Sequence, residues 1–540
     1  MTASQPSPPY VPGRRAGLLV PLFSLRSTTG WGIGEIRDLP HLMGWMRQAG
    51  LRLLQLLPVN ELAPGEASPY SAMSAMAIDP QFIGVRALPD FLDSGGEASL
   101  SPELRAELAA VRRAPRIQYW AVRHLKDVAL RQAFAHFSQA HWQRGTARDA
   151  GFRQFVSREQ WWLEDYALFR ALHASFDGQP WTAWPAPLRD RDPAALAGAA
   201  RELEAEIRYR QYLQWIAAEE WREARARAGD IALFGDLPFM VSLDSADVWT
   251  RQDEFRTDAR VGVPPDAFSD TGQDWGMPVY RWDVALGTDL TWLRQRGARA
   301  AALYDGFRVD HVVGFYRTYY RVGHEQEGQF TPTGQEAQHA LGEQVLRALA
   351  SAGGALTAED LGVVPDFVRA SLSNLGIPGY KVFRWEREWN QAGQPFIDPV
   401  RYPARSVAAS GTHDTEPLVI WWAAASPDER AAVLAIPSVS SRLTPDEREA
   451  LRESDALPSQ GVDALLAALY QSGSDLLIQP VQDLFGWPDR INRPATVGEE
   501  NWRWTLPWPV DRMADTPEAK TRAAQLRALA AAAERLAVPE

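Results

Sequence analysis

The chain of 540 residues contains no cysteine. This absence excludes disulfide bonds, thiolate nucleophiles and cysteine-ligated metal sites. Any chemistry must therefore use carboxylates, histidines or hydroxyl groups. The HExxH pattern of zinc enzymes is also missing, and we expect neither a metal nor another cofactor.

Long apolar segments and an excess of basic residues are also lacking. No apolar run approaches the roughly 20 residues that a transmembrane helix requires, so we expect no membrane association. Lysines and arginines total 56 against 68 aspartates and glutamates, a net charge of −12. Because no basic run is interleaved with aromatic residues, nucleic acid is excluded as a partner. No feature indicates an obligate protein partner.

The N-terminal stretch "GRRAGLLVPLFSL" imitates a signal peptide, with two arginines before an apolar run. No small-residue cleavage site follows it. We therefore interpret residues 17–25 as a buried strand and expect a cytoplasmic protein. Residues 1–16 combine several prolines with polar residues, and we expect them to form a disordered tail.

Short apolar runs recur along the chain, and most are separated by helical patterns. The composition, 46% hydrophobic and 23% charged, is typical of a globular protein with ample core. Eight runs can be distinguished. They are residues 17–25, 51–59, 231–241, 306–315, 354–360, 380–385, 406–414 and 476–483.

Near-continuous apolar strands that alternate with helices indicate a parallel sheet covered on both faces. Eight such units predict an α/β fold, the (β/α)8 TIM barrel. The chain exceeds the roughly 250 residues typical of this fold, so we expect insertions. Residues 17–90 would form the first part of the barrel, and a helical insertion subdomain over 91–228 would follow its second strand. Residues 229–540 would complete the barrel, including a loop insertion over 245–283 after the third strand.

Local patterns predict where helices of the large insertion begin. Ser101 and Asp192 each precede a proline, and Ser157 begins a capping-box pattern. Aromatic residues at helical spacing are expected to form the core of this subdomain. These residues are Trp161, Trp162, Tyr166 and Phe169.

Ionisable residues cluster where four of the apolar runs end. Catalytic groups of a TIM barrel project from the C-terminal ends of its strands. A single aspartate there is usually a helix cap or a loop acceptor, but four clusters on one rim indicate a site. The clusters are Asp310 with His311, Glu359 with Asp360, His413 with Asp414, and Asp244.

Closely placed carboxylates without a metal motif are typical of glycoside chemistry. One carboxylate attacks the anomeric carbon, and a protonated one donates to the leaving oxygen. Within "DGFRVDHVVGF", Arg308 can hold Asp310 ionised and oriented through a charge-assisted hydrogen bond. The 22 tryptophans and 14 tyrosines offer stacking surfaces for sugars, although most such rings belong to cores.

Seven long segments, spread over nearly the whole chain, carry a specific pattern. They are "SPYSAMSAMAIDP" (68–80), "GDLPFMVSLDSADVW" (235–249), "GVPPDAFSDTGQDWGMPVYRWD" (262–283), "DGFRVDHVVGF" (305–315), "AEDLGVVP" (358–365), "GTHDT" (411–415), and "QPVQDLFG" with "RINRPATVGEENWRW" (479–486 and 490–504). Together they resemble the 4-alpha-glucanotransferases, also called amylomaltases or disproportionating enzymes, which are relatives of the alpha-amylases.

The resemblance implies a role for each strand-end carboxylate. By it, Asp310 is the nucleophile, Glu359 the general acid and then base, and Asp414 the group that holds the sugar hydroxyls and stabilises the transition state. Burial or the neighbouring carboxylate should raise the pKa of Glu359. The other residues implied to contact substrate are Tyr70, Asp244, Trp275, Arg308, His311, His413 and Asn501.

The implied activity is retaining transfer of a 1,4-alpha-D-glucan segment through a covalent glycosyl-enzyme intermediate. The acceptor would be the 4-hydroxyl of glucose or of another glucan, and the partners would be maltooligosaccharides, starch or glycogen chains. The segment 262–283, which includes Phe268 and Trp275, is expected to cover the acceptor side and to disfavour water. After Asp414 the sequence departs from some relatives. Glu416 could add a charge near the sugar there, but we expect it to face solvent.

Three alternatives use the same residues differently. An alpha-amylase-like retaining hydrolase would employ the same three carboxylates with water as acceptor. A non-catalytic glucan-binding barrel would lack turnover. A metal-dependent barrel hydrolase would be built on His311, His413 and Asp414, and chelation would abolish its activity.

Overall fold

The computed structural model describes residues 13–265, 272–323, 328–494, 496 and 498–536. Residues 1–12, the greater part of the predicted tail, lie outside the described residues. The first strand begins at Arg15, so its first two residues fall within the range predicted to be disordered.

Eight parallel strands close into a barrel in which neighbouring strands follow the order of the chain. The first strand pairs with both the second and the eighth, which closes the sheet. This architecture confirms the predicted TIM barrel. The strands are β1 (Arg15–Leu19), β2 (Leu53–Gln55), β3 (Ala232–Leu237), β4 (Gly306–Val309), β5 (Ala355–Ala358), β6 (Gly379–Val382), β7 (Ser406–Ala409) and β8 (Leu476–Pro480).

Each strand overlaps one of the eight apolar runs, but most strands are shorter than their runs. β4 ends at Val309, directly before Asp310, and β5 ends at Ala358, directly before Glu359. Both strands therefore end directly before an ionisable residue. This places the ionisable residues at the C-terminal rim.

Helices surround the barrel and fill the long connection between β2 and β3. None of the helices in the described part of the chain is long and apolar enough to cross a membrane. The α-helices are Leu39–Gln48, Pro89–Asp93, Pro102–Arg113, Tyr119–Ala140, Ala147–Ser175, Ala186–Arg189, Pro193–Glu202, Glu204–Ala226, Ala246–Thr250, Trp282–Gly287, Thr291–Leu303, Val313–Tyr316, Gln335–Ala350, Asp366–Leu375, Leu418–Ala424, Pro427–Leu434, Pro437–Ser440, Pro445–Glu453, Ser459–Tyr470, Val481–Phe485 and Pro517–Ala532.

Helix starts between β2 and β3 follow the sequence patterns in two cases of three. Ser101 Oγ accepts a hydrogen bond from a backbone N–H of the first turn, and Asp192 Oδ1 does the same. Ser157, in contrast, lies inside the helix Ala147–Ser175, which begins at the cap Thr146. The capping-box prediction was wrong because the apolar face of this helix continues through Ser157, and burial of that face outweighs a local cap.

The aromatic residues of the same helix divide between core and surface. Trp162, Tyr166 and Phe169 are buried, as expected, whereas Trp161 is 43% exposed. Trp161 and Trp162 point in directions about 100° apart because a helix turns by that angle per residue. Only one of the two can therefore face the core.

The connection after β3 contains short strands that form a small antiparallel sheet beside the barrel mouth. The strand Ala259–Val263 pairs with Thr318–Val322, which follows β4. It also pairs with Gln273–Asp274, directly before Trp275. Phe268, expected in the loop over the mouth, lies outside the described residues. The small sheet places the Trp275 backbone at the rim.

Candidate active site

A cavity of about 710 Å³ opens at the C-terminal rim of the barrel. It brings together the three carboxylates predicted to be catalytic, Asp310, Glu359 and Asp414. Of the residues predicted to contact substrate, five also line this cavity. They are Tyr70, Trp275, Arg308, His311 and His413.

Backbone pairing across the barrel sheet sets the positions of two of these carboxylates. The N–H of Asp310 donates to the carbonyl oxygen of Leu237 at 3.0 Å, and the N–H of Glu359 donates to that of Val309, also at 3.0 Å. Both residues thus extend the ladder of parallel strands by one position. Their carboxylates leave adjacent strands at the same height of the barrel.

Arg308 lies on β4 below these carboxylates and is almost fully buried. Its Nη2 is 3.0 Å from Asp310 Oδ1 and 3.9 Å from Glu359 Oε2. Its Nη1 pairs with Asp236 Oδ2 at 2.5 Å, and Asp236 lies opposite Arg308 in the β3–β4 register. A buried charge is tolerated only when it is paired and hydrogen-bonded. These contacts explain how a guanidinium occupies an otherwise apolar strand.

Tyr70 connects this ion pair to His413. Its hydroxyl donates to Asp236 Oδ2 at 2.8 Å and lies 3.0 Å from His413 Nε2. The two rings stack with centroids 5.4 Å apart. Burial and the adjacent Asp236 carboxylate raise the pKa of Tyr70 well above its ordinary value. Tyr70 therefore remains a neutral hydrogen-bond donor.

Glu359 is the least exposed of the three carboxylate side chains. Burial raises its pKa to about 8, against the opposing effect of Arg308 and with an added contribution from the negative Asp310. One oxygen, Oε2, accepts the backbone N–H of His311 at 2.7 Å. The proton therefore resides on the other oxygen at neutral pH. The expectation that burial or the nearby carboxylate raises the pKa of Glu359 is confirmed.

Asp414 has the opposite protonation state. Burial alone would raise its pKa, but the His413 imidazole and the Asn492 amide outweigh burial and lower the pKa to about 2. Asn492 Nδ2 donates to Oδ1 at 2.6 Å, and His413 Nε2 lies 3.2 Å from Oδ2. Asp414 is therefore ionised throughout the physiological range.

His311 is held in a strained backbone conformation directly after Asp310. Its φ of 44° lies in the left-handed region, which is costly for a residue other than glycine. Its ring lies 4.8 Å from that of Trp275, edge to face. Burial lowers the pKa of His311 to about 4, so the imidazole is neutral at physiological pH.

Two residues predicted to contact substrate do not line the cavity. Asp244 Oδ2 lies 3.1 Å from His173 Nε2, and its Oδ1 accepts the backbone N–H of Trp181 at 3.1 Å. Asn501 Oδ1 accepts the backbone N–H of Arg493 at 3.0 Å, and its amide donates to a segment that borders the cavity. In this structure both side chains bind loop backbone. The position of a residue in a motif therefore does not determine where its side chain points.

Glu416 and Asp360 also form internal contacts. Glu416 Oε1 accepts from Arg490 Nη1 at 2.8 Å, and its Oε2 is 3.4 Å from Arg384 Nη1. The Glu416 side chain is 44% exposed, as expected, and two guanidinium groups also bind its carboxylate. Asp360 is buried, and its Oδ1 accepts the backbone N–H of Tyr380 at 2.8 Å.

The sequence analysis missed three residues of the site: Asp236, Asn492 and Trp502. Asp236 interrupts the apolar run 231–241 in the same way that Arg308 interrupts 306–315, and this pattern alone could have identified it. Asn492 belongs to the segment "RINRPATVGEENWRW". Trp502 lines the cavity, and its ring lies 6.0 Å from that of Tyr70.

Comparisons with known proteins agree on one family. The family profile described as 4-alpha-glucanotransferase matches residues 20–511. The 4-alpha-glucanotransferase of Thermus thermophilus is 34% identical over 97% of this chain and 99% of the relative. That of Chlamydia pneumoniae is 30% identical over 91% of each chain.

A solved structure extends the agreement to the fold. The amylomaltase from Streptococcus agalactiae in complex with acarbose matches with a TM-score of 0.79 and 26% identity, covering 97% of this chain and 99% of that chain. The sequence profile, the relatives and the barrel with its carboxylate-lined cavity agree, and the chain belongs to the 4-alpha-glucanotransferase family.

Proposed function

We propose that this 4-alpha-glucanotransferase works by a retaining, two-step reaction on Asp310 and Glu359. The observation that carries the proposal is the shared contact of both carboxylates with one nitrogen, Arg308 Nη2, at 3.0 and 3.9 Å. Their nearest oxygens are therefore no farther apart than these two distances combined. This is compatible with the separation of about 5–5.5 Å that retaining enzymes use.

In the first step, an oxygen of Asp310 attacks the anomeric carbon of a 1,4-alpha-D-glucan. The bond to the glycosidic oxygen breaks as the ester forms, and Glu359 gives its proton to the departing oxygen. The ionised Asp414 stabilises positive charge that develops on the sugar ring. Arg308 keeps Asp310 ionised and oriented before the attack.

In the second step, Glu359 acts as the base. Esterification removes the negative charge of Asp310, which had helped to raise the pKa of Glu359. The loss of that charge makes the ionised form of Glu359 more favourable. Glu359 then accepts the proton of an incoming 4-hydroxyl, whose oxygen attacks the anomeric carbon and releases Asp310. Two inversions give net retention.

The acceptor and donor are 1,4-alpha-glucan chains, with glucose as the smallest acceptor. Aromatic rings of the cavity, among them Trp275 and Trp502, provide apolar surfaces against which sugar rings can stack. The Streptococcus agalactiae relative was solved in complex with acarbose, which supports a glucan-type ligand. The cytoplasmic location stays a prediction from the sequence.

Incubation with maltotriose alone tests the reaction. We expect glucose together with a ladder of longer chains and no net gain of reducing ends. Asp310→Asn should abolish the ladder, whereas the exposed control Asp253→Asn should not. A steady gain of reducing ends without longer products would instead indicate the alpha-amylase-like hydrolase. No turnover by the unaltered chain would contradict both.

A further inference from the structure

A group of three possible metal ligands lies among the helices between β2 and β3, and none of its members lines the catalytic cavity. Asp90 is on the helix Pro89–Asp93, and His136 and His141 lie at the C-terminal end of Tyr119–Ala140. Asp90 Oδ1 is 3.8 Å from His136 Nδ1 and 3.7 Å from His141 Nε2. The three ligand atoms lie within 4.8 Å of one another.

These distances are too long for hydrogen bonds, which join nitrogen and oxygen at about 2.7–3.2 Å. Asp90 is 0% exposed, and its Oδ1 accepts no hydrogen bond from the described residues. The facing His136 Nδ1 is also buried and makes none. Leaving a buried carboxylate oxygen unsatisfied is costly. Three electron-rich atoms therefore face a common point where a cation would satisfy them.

The surrounding hydrogen bonds orient the ligand atoms as a metal site requires. Asp90 Oδ2, the oxygen on the other side of the carboxylate, accepts the Tyr212 hydroxyl at 2.7 Å and is also bound by Arg148. His141 Nδ1 lies 3.2 Å from Thr146 Oγ1. With Nδ1–H donating to Thr146, Nε2 directs its lone pair towards Asp90. Such outer hydrogen bonds are typical of metal-ligating histidines and carboxylates.

We propose that Asp90, His136 and His141 bind a divalent transition-metal ion, and that zinc fits this ligand set best. Zinc takes imidazole nitrogens and carboxylate oxygens at about 2.0–2.2 Å in tetrahedral geometry, which places donor atoms about 3.3 Å apart. Side-chain shifts of about 0.5 Å for the Asp90 pairs, and of no more than about 1.5 Å for the two histidine nitrogens, bring the separations to this value. The histidine side chains are 25% and 21% exposed, so an ion can enter from solvent and a water can complete its coordination.

The consequence would be a metal clamp between helices rather than a catalytic centre. The ion would tie Pro89–Asp93 to the end of Tyr119–Ala140, and Thr146, which caps Ala147–Ser175, would support it from outside. Since the metal binds the folded arrangement of ligands, its binding free energy adds to stability. It would take no part in the transfer of glucan.

Titration of the chelator-treated full chain with zinc chloride at pH 7.5 tests the site. We expect one zinc ion per chain by calorimetry and a melting temperature that rises with zinc until the site is saturated. His136→Gln and His141→Gln each remove a direct ligand, so each should weaken binding by at least the roughly 10- to 100-fold that loss of an outer hydrogen-bond partner costs. The matched control is His339→Gln, since His339 lies 3.7 Å from Glu343 and belongs to no group of three possible metal ligands among the described residues. This change should leave binding unaltered.

Zinc K-edge absorption of the loaded protein provides a second measurement, and we expect two imidazole ligands and one carboxylate. Failure of the unaltered chain to bind zinc stoichiometrically would overturn the proposal, even if a variant failed to fold. Unaltered zinc binding by a variant that carries both His136→Gln and His141→Gln, or equal weakening in the control, would also overturn it. Transfer on maltotriose should be the same with and without zinc.

Discussion

Asp236 and Arg308 lie opposite each other on β3 and β4 and form an ion pair that solvent scarcely reaches, with side chains 0% and 5% exposed. The same guanidinium contacts Asp310 and Glu359 through its other terminal nitrogen. Asp236 therefore fixes the guanidinium that contacts Asp310, the proposed nucleophile, although Asp236 itself does not line the cavity. Its effect on the reaction is exerted through Arg308.

Replacement of Asp236 by Asn keeps the shape of the side chain and removes its charge. We expect kcat to fall by about 10- to 100-fold with a smaller change in KM, because Arg308 is no longer held in place. The free energy of unfolding should fall by about 2–3 kcal/mol, since a buried charge loses one of its partners. Steady-state kinetics and urea unfolding measure both effects.

The exposed Asp253→Asn is the control for this change and should alter neither quantity. A loss of stability without any loss of kcat would show that Asp236 supports only the barrel. The orienting role assigned to Arg308 would then be wrong.

The pH dependence of kcat/KM should report the protonation of Glu359. Its pKa is raised to about 8, and the first step needs the protonated form, so kcat/KM should fall as pH rises through about 8. His311 should add no inflection near 6.5, because burial lowers its pKa to about 4. A profile on maltotriose from pH 4 to 10 measures this. An alkaline limb beginning near pH 5 would contradict it.

Glu359 also affects stability, and the sign follows from its raised pKa. The folded state binds this proton more tightly than the unfolded state, so its stabilising contribution is fully present below about pH 4.5 and is lost as pH rises towards about 8. A glutamine side chain does not ionise in this pH range. We therefore expect Glu359→Gln to be more stable than the unaltered chain at pH 7.5 by about 1–3 kcal/mol, with no difference at pH 4.

Urea unfolding at the two pH values measures this gain, and the exposed Glu336→Gln serves as the control. A variant less stable than the unaltered chain at pH 7.5 would mean that the His311 N–H bond to Glu359 outweighs the cost of burying the carboxyl group. In that case the stability difference between Glu359→Gln and the unaltered chain should change between pH 4 and pH 7.5 by no more than the corresponding difference for the control.

The barrel could be predicted from the sequence because its signal is local and repeated. Eight apolar runs each contain or overlap one strand, and the ionisable residues that follow them, such as Asp310 and Glu359, meet at one rim. Parallel topology makes this convergence unavoidable. The division of the chain at residues 91–228 stays a prediction, since a change from strands to helices does not define an independent unit.

Side-chain direction was the part that the sequence did not determine. Asp244 and Asn501 belong to motifs that border the cavity, yet each binds loop backbone instead of lining it. Glu416 binds two arginines that are distant from one another in sequence. Such pairings depend on loop packing between non-adjacent segments, for which a single sequence contains no periodic pattern.

The ratio of transfer to hydrolysis should depend on Trp275. Its ring lines the cavity and meets His311 edge to face at 4.8 Å, and its indole N–H donates to Gln273 Oε1 at 3.1 Å. The ring shares the cavity with Asp310, and we expect it to cover the side from which an acceptor approaches. Replacement by Ala opens this side to water, and we expect glucose release relative to chain transfer to rise by about 3- to 10-fold.

Product analysis on maltotriose measures the ratio, with Trp389→Ala as the matched control because Trp389 is 59% exposed and does not line the cavity. If the ring contributed only acceptor binding, KM for added glucose would rise and the ratio at saturating acceptor would stay unchanged. If it excludes water, the ratio stays raised even at saturation, because hydrolysis then competes at the ester itself. We expect the second outcome, since the indole borders the reacting centre through His311.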